Sequence, residues 1–266
     1  ERLDARVVLS GDRRQHGSVE RGAALRLLEE QAGLVPAEIR EIQRQKEQYK
    51  QAVRDLSEDR VAAGFEKLDR MGWIREIDNE HRERVLAEDY VATVAAGQTA
   101  LVVSPTHREA ERVTQAIREQ LRTSGRLATE SRVMPTLRRV DLTLGERKDT
   151  ANYRPEDVLV FHQNAKGVVK GARVAVGHAP PPVDRAERYQ VFRPAELEVA
   201  VGDVLRITQN GKTVDGMGRL NNGDLLHVTG FDNDGQLLTA EGKTVSPEFG
   251  HLAYGYVVTS HASQGT

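Results

Sequence analysis

Ala100-Leu-Val-Val-Ser-Pro-Thr-His107, followed by the helical run Arg108–Arg122, is the stretch that decides the fold. Four apolar residues between polar ones suit a strand buried on both faces. Ser104-Pro-Thr-His107 then turns the chain into a helix, with Thr106 and Glu109 at the spacing of a capping box. Strand, turn and helix in that order predict a parallel sheet covered by helices. The same alternation runs upstream. Arg6–Ser10 reads as a strand, and Gly22–Ala32 as a helix with Ala24, Leu25, Leu27 and Leu28 at helical spacing, stopped by Gly33. Pro36–Ile42 reads as a further short strand. Helical periodicity resumes at Ala52, Val53 and Leu56, again at Val61, Phe65 and Leu68 before Gly72, and over Glu80–Ala96 before Gly97.

From about Met134 the character changes to short strands and turns. Asp157–His162, Lys170–Gly177, Asp203–Gln209, Asp224–Thr229, Gln236–Ala240 and Lys243–Val245 read as strands. Asn-Gly and Asp-Gly pairs join several of them, and these are hairpin or loop signals. Ala179-Pro-Pro-Pro182 reads as a stiff connector. This half predicts a small antiparallel barrel or two small β units. The apolar stretch His251–Val258 is placed to return to the first sheet.

The chain has 266 residues, 38 Lys+Arg against 40 Asp+Glu, and no cysteine. Thiol catalysis, disulfide scaffolds and cysteine-ligated zinc are excluded. No apolar run approaches the ~20 residues that span a bilayer, and the first residues show no export-signal pattern, so a cytoplasmic protein without membrane insertion is expected. The balanced charge argues only against a uniformly basic nucleic-acid binder.

Four segments carry candidate chemistry. Leu9-Ser-Gly-Asp-Arg-Arg-Gln15 places Asp12 and Gln15 just past a strand, where α/β folds bind ligands; a plain surface turn is the alternative. Glu41-Ile-Gln-Arg-Gln-Lys46 offers Arg44 for phosphoryl charge, or a solvated charge run. Ser104-Pro-Thr-His107 opens a helix whose free N–H groups suit a phosphate. Eight arginines between residues 105 and 140 follow it, partly at three- and four-residue spacing, so one face of the helix is a candidate backbone track; ordinary Glu–Arg pairing fits equally. Finally, Tyr254-Gly-Tyr-Val-Val-Thr-Ser-His-Ala-Ser-Gln-Gly265 delivers Thr259, Ser260, His261, Ser263 and Gln264 directly after an apolar strand. No HxxxH or HExxH spacing points to zinc, no G-x-S-x-G elbow to a serine hydrolase, and no G-x-x-x-x-G-K-[ST] phosphate loop occurs. Gly-Lys-Thr stands at 211–213 and 242–244, with Arg206 and Leu237 where the leading glycine belongs.

Together these segments resemble the later motifs of a superfamily-one DNA helicase of the RecD/Pif1 kind, closest to the helicase portion of TraI/TrwC-type conjugative relaxases. Val8–Gln15, continuing through Ser18–Leu25, resembles motif three and its helix; Glu41–Gln45 resembles motif four; Ala100–His107 resembles a strand and turn of the second RecA-like domain; Val201–Val245 resembles the inserted SH3-like barrel; His251–Gly265 resembles motif five. Ala262 stands where motif five usually carries a lysine. Motifs one and two are expected before Glu1 and motif six after Thr266.

The resemblance implies an α/β fold: the tail of one RecA-like domain over 1–36, a second over 37–130 and 251–266, and a β-rich insertion over 131–250. It implies a part of an ATP-dependent 5′–3′ helicase or translocase acting on single-stranded DNA. ATP and Mg²⁺ would serve the whole enzyme, with neither cofactor expected for this chain alone. Gln15 would sense the γ-phosphate, with Asp12 supporting its loop, and Arg44 would stabilise the transferring phosphoryl group. Ser104, Thr106 and His107 would touch the strand from one side and Thr259 and His261 from the other, with Gln264 and Gly265 linking that contact to the nucleotide. Two rivals remain. One is a non-catalytic module, either a single-strand grip or a signal read by a type IV secretion coupling protein; residues 196–266 carry nine acids against four Lys/Arg. The other is a RecD-like repair helicase.

Overall fold

The computed structural model describes residues 8–9, 11, 24–37, 41–43, 45–177, 179–260 and 263. It divides into two compact units, residues 1–80 and 81–266.

The first unit contains helices α1 (Ala24–Gln31), α2 (Glu47–Ser57) and α3 (Val61–Arg70). Asp55, 6% exposed, joins α2 to α3 by accepting from Arg60 Nε at 3.0 Å and by pairing with Lys67. The Lys67 contact, then Arg60, holds the Asp55 carboxyl below its ordinary range. Helix α3 ends at Gly72, whose φ of 70° is left-handed, and the Trp73 N–H donates to the Leu68 carbonyl at 3.1 Å. That cap satisfies a terminal carbonyl and reverses the chain. Of the expected strands, Val8 and Leu9 belong to no ladder and neither do the described flanks of 36–42; the remaining residues of both lie outside the described residues.

The second unit begins with α4 (Arg82–Ala95), β1 (Val102–Ser104) and α5 (His107–Thr123). Then come β2 (Ser131–Val140), α6 (Leu144–Arg147), β3 (Val158–Phe161), β4 (Arg173–Ala175), β5 (Tyr189–Ala200) and β6 (Val204–Ile207). Hairpin β7 (Gly211–Lys212) and β8 (Arg219–Leu220) precedes β9 (Leu225–Phe231), β10 (Leu237–Thr239), β11 (Thr244–Val245), β12 (Leu252–Tyr254) and β13 (Val257–Thr259). The fold is mixed α/β. β1 and β13 pair in parallel; β2-β5-β3-β4 and β11-β10-β9-β6-β12 are antiparallel sheets of four and five strands. Strands β11 and β12 are the open edges of the five-stranded sheet, so no ladder closes it into a barrel among the described residues.

Three apolar clusters follow these layers. Ala87, Val113, Ile117, Leu121 and Val257 pack the helices on the parallel pair; Leu205, Ile207, Leu226, Leu237 and Leu252 fill the five-stranded sheet; Leu159, Phe161, Tyr189 and Val191 fill the four-stranded one. The stretch His251–Val258 does not go whole to the first sheet. Leu252–Tyr254 pairs with β6, and three residues after Tyr254 Val257 begins the ladder with β1. Gly255 permits the crossing, because a Cβ there would stand 2.9 Å from Leu225 and 3.0 Å from Val204.

The longest strands, β2 and β5, were not among the expected ones. They pair over ten residues, Ser131↔Ala200 to Val140↔Val191. Each carries a proline, Pro135 opposite Glu196 and Pro194 opposite Leu137. A proline inside a run reads as a breaker, yet it is tolerated where its missing donor is not required by the ladder.

Candidate nucleic-acid interface

In a parallel pair both strands point the same way, so their C-terminal ends deliver their turns to one edge. Register Ser104↔Thr259 puts the two nominated segments side by side there, although they lie far apart in the chain. Ligands of open α/β sheets gather at such an edge.

Ser104 is 3% exposed, and its hydroxyl donates within the turn, towards the Thr106 carbonyl at 3.1 Å or the Glu109 carboxylate at 3.2 Å. It shapes the turn instead of facing solvent. Thr106 caps α5, its hydroxyl accepting from the Glu109 N–H at 3.2 Å. The expected capping box is half made: the Glu109 carboxylate turns to Ser104 and to Arg82, 2.7 Å away. Thr106 and His107 are exposed and Thr259 is half-buried. The backbone N–H groups of His107 and Arg108 have no partner among the described residues and stand at the positive end of a 17-residue helix. Ser263 closes the second segment by donating to the Ser260 carbonyl at 2.8 Å. The edge therefore offers hydroxyls, an imidazole and free N–H donors, which suits phosphate and sugar oxygens.

Asp12, Gln15, Arg44, His261, Gln264 and Gly265 lie outside the described residues. The nucleotide-facing set is wholly among them, so no geometry for ATP or Mg²⁺ follows from the described residues.

The arginine track along α5 is corrected. Arg112 pairs with Glu83 at 3.0 Å, Arg138 with Glu111 at 3.3 Å, and Arg122 approaches Glu198 at 3.7 Å. Arg118 is 1% exposed and belongs to the core. Its Nε donates to Asp203 Oδ1 at 2.9 Å and a terminal nitrogen to Oδ2 at 3.0 Å. The same guanidinium lies 4.5 Å above the Tyr254 ring. Tyr256 donates to Asp203 Oδ1 at 2.8 Å, and the Ala200 N–H donates to Oδ2 at 2.8 Å. Burial is the largest single influence and works against the Arg118 charge, but the hydrogen bonds and charge of Asp203, with Tyr254 and Tyr256, together outweigh it and hold the pKa above its ordinary value. Burial also pushes the Tyr254 hydroxyl up to about 12 and raises that of Tyr256. This knot joins α5 to the residues that lead into β13, and so holds one side of the Ser104/Thr259 edge to the other. No local pattern announces it, since Arg118 and Asp203 meet across 85 residues.

A family model described as an AAA domain matches residues 1–79. Two curated relatives, both the multifunctional conjugation protein TraI, one from Escherichia coli strain K12 and one from Escherichia coli, are each 28% identical over 194 residues. The match covers 64% of this chain and 10% of each relative. The chain is similar to a TraI-like helicase region. It spans about a tenth of the length of those relatives. Among the described residues no helix is long and apolar enough to cross a membrane.

Proposed function

We propose that this chain is the strand-handling part of an ATP-dependent 5′–3′ DNA helicase or translocase within a conjugative relaxase-helicase. The observation that carries the reading is the parallel register Ser104↔Thr259, which sets Thr106, His107 and Thr259 along one edge. Single-stranded DNA would lie across that edge, its phosphates accepting from the Thr hydroxyls and the free N–H groups at the start of α5. His261 would join from the second segment. In this reading α4, β1, α5 and β13 belong to a RecA-like domain, and the five-stranded sheet to an SH3-like insertion. Gln15, with Asp12, and Arg44 would face the nucleotide, and Gln264-Gly265 would relay its state to the strand. Bound ATP with Mg²⁺ would supply the free energy for movement in the whole enzyme.

Fluorescence anisotropy of labelled oligonucleotides across a salt series tests this. Single strands should bind in preference to duplex, more weakly as salt rises, and Thr106→Ala with His107→Ala should weaken binding several-fold. Equal affinity for duplex, or no binding at low salt, would remove the strand from this edge.

A second reading rests on the acidic surplus of residues 196–266. Glu196, Asp215 and Asp234 are exposed there, a surface better suited to a basic protein partner than to DNA. A type IV secretion coupling protein is the partner it would fit. Charge reversal at the three sites should then lower protein transfer and leave oligonucleotide binding unchanged.

A further inference from the structure

In the first unit, the reversal at Gly72 lays Trp73 against Tyr49 near the start of α2. Their ring centroids are 5.0 Å apart and their planes tilted by 49°. Trp73 is 60% exposed and Tyr49 38% exposed, so the pair presents its rings to solvent when a core pair would hide them. Around them Lys46, Glu47, Gln48 and Met71 complete a shallow recess of about 460 Å³, within the range of small-ligand sites. Lys50 and Arg54, four residues apart, share one face of α2, and Lys46 precedes them as its extended N-cap residue. None of the three has an ion-pair partner among the described residues. Their neighbours differ: Arg60 binds Asp55 and Glu58, Lys67 binds Asp55, and Arg70 binds Glu66.

We infer that the Tyr49–Trp73 recess and the Lys46/Lys50/Arg54 stripe form a second single-strand site, in which one nucleobase stacks on the exposed rings while its flanking phosphates follow the stripe. Two kinds of group that single-strand binders combine are here together: aromatic faces, which accept any base, and cations that follow the backbone. The charge complementarity favours a polyanion over an apolar protein segment, which would leave three unpaired cations beside it. This site shares no residue with the Ser104/Thr259 edge and stands whether or not that edge binds DNA.

Trp73 is the only tryptophan of the chain, so its own emission reports the site. Titration with oligo(dT) should quench it saturably, and the quenching should persist in the Thr106→Ala/His107→Ala variant. Tyr49→Ala should weaken the quenching transition about tenfold. Lys50→Ala should lower the slope of log affinity against log salt by about 0.7. Oligonucleotide binding seen by anisotropy with no change in Trp73 emission would overturn this site while leaving the other intact. Quenching by duplex as strong as by single strand would also overturn it, because stacking requires an unpaired base. So would emission already blue-shifted and shielded from a soluble quencher in the free protein, since protein would then cover the rings.

Discussion

Asp203→Asn changes one charge and almost no volume, and the structure gives its cost. Asp203 is fully buried and Arg118 is 1% exposed. Four donor hydrogens converge on the carboxylate: two from Arg118, one from Tyr256 and one from the Ala200 N–H. An amide in its place turns an NH₂ group towards two of those donors and leaves Arg118 with only the half-exposed Glu198 carboxylate, 3.7 Å away, as a counter-ion. Breaking one side of a buried pair costs about 3–5 kcal/mol, a large part of the ~5–15 kcal/mol that holds a typical domain together. For a body of this size each kcal/mol moves Tm by about 2–4 °C, so the variant should melt roughly 6–20 °C lower. Arg118→Met in the same background removes the stranded cation and should recover part of the loss, with a coupling energy of about 2 kcal/mol or more. Circular dichroism melts and urea titrations of the wild type, both single variants and the double variant measure the cycle. A single variant melting within about 2 °C of wild type, or strictly additive effects, would falsify the claim that this pair is the joint between α5 and β13.

Other outcomes follow from single residues. His251 is 2% exposed between Phe192 and Phe249, and burial, with the nearby Arg173 charge, lowers its pKa to about 4. Its folded pKa lies below the unfolded value of about 6.5, so the unfolded chain takes up the proton first. Stability should be full above pH 6.5 and fall by up to about 3 kcal/mol as pH drops to 4; His251→Phe should flatten that part of a Tm–pH profile, and an unchanged profile would contradict it. Gly202 has φ of 97°, and a Cβ there would stand 2.3 Å from the Arg126 carbonyl oxygen. Gly202→Ala should therefore cost at least about 2 kcal/mol, read as a shifted urea midpoint. The sequence holds no phosphate loop, so the purified chain should release no phosphate from ATP with or without DNA. In the whole enzyme Arg44→Ala should abolish hydrolysis with ATP binding retained, and loss of binding instead would make Arg44 a structural residue.

What the sequence could announce was local. Val102–Ser104, its capped helix and the apolar run into Thr259 were legible because four apolar residues, Thr106 with Glu109, and a burst of hydroxyls are contiguous signals, but the strand is not buried on both faces as expected, since Leu101 and Val103 are about half exposed. The strands β3, β4, β6, β10 and β11 fall inside stretches expected from β-branched runs between turn residues, and β9 overruns its expected end at Thr229 by two residues. The missed strands show where such reading fails. β5 alternates exposed Glu196 and Glu198 with inward Leu197 and Val199, a period-two pattern hidden by Pro194 and the two acids. The arginine track failed for a related reason. Spacing tells which arginines share a helix face, but not that Asp203, Glu83 and Glu198 will be waiting on the elements packed against it. Trp73 and Tyr49 gave no signal as a pair, since their proximity depends on the reversal at Gly72.

The parallel pair also sets a timetable for biosynthesis. Val102 and Val257 are ladder partners 155 residues apart. On a ribosome adding about 5–20 residues per second, β1 emerges some 8–30 s before the strand that will pair with it. Helices α4 and α5 can dock on each other in that interval, leaving the Val102–Val103 backbone as an unpaired edge. The antiparallel sheets, whose pairings are shorter in range, can form while it waits. β12 then docks on β6, and its last residue lies three before Val257. The final strand therefore arrives tethered beside its target, and the loop-closure entropy of a 155-residue span has already been met by the folding of everything between.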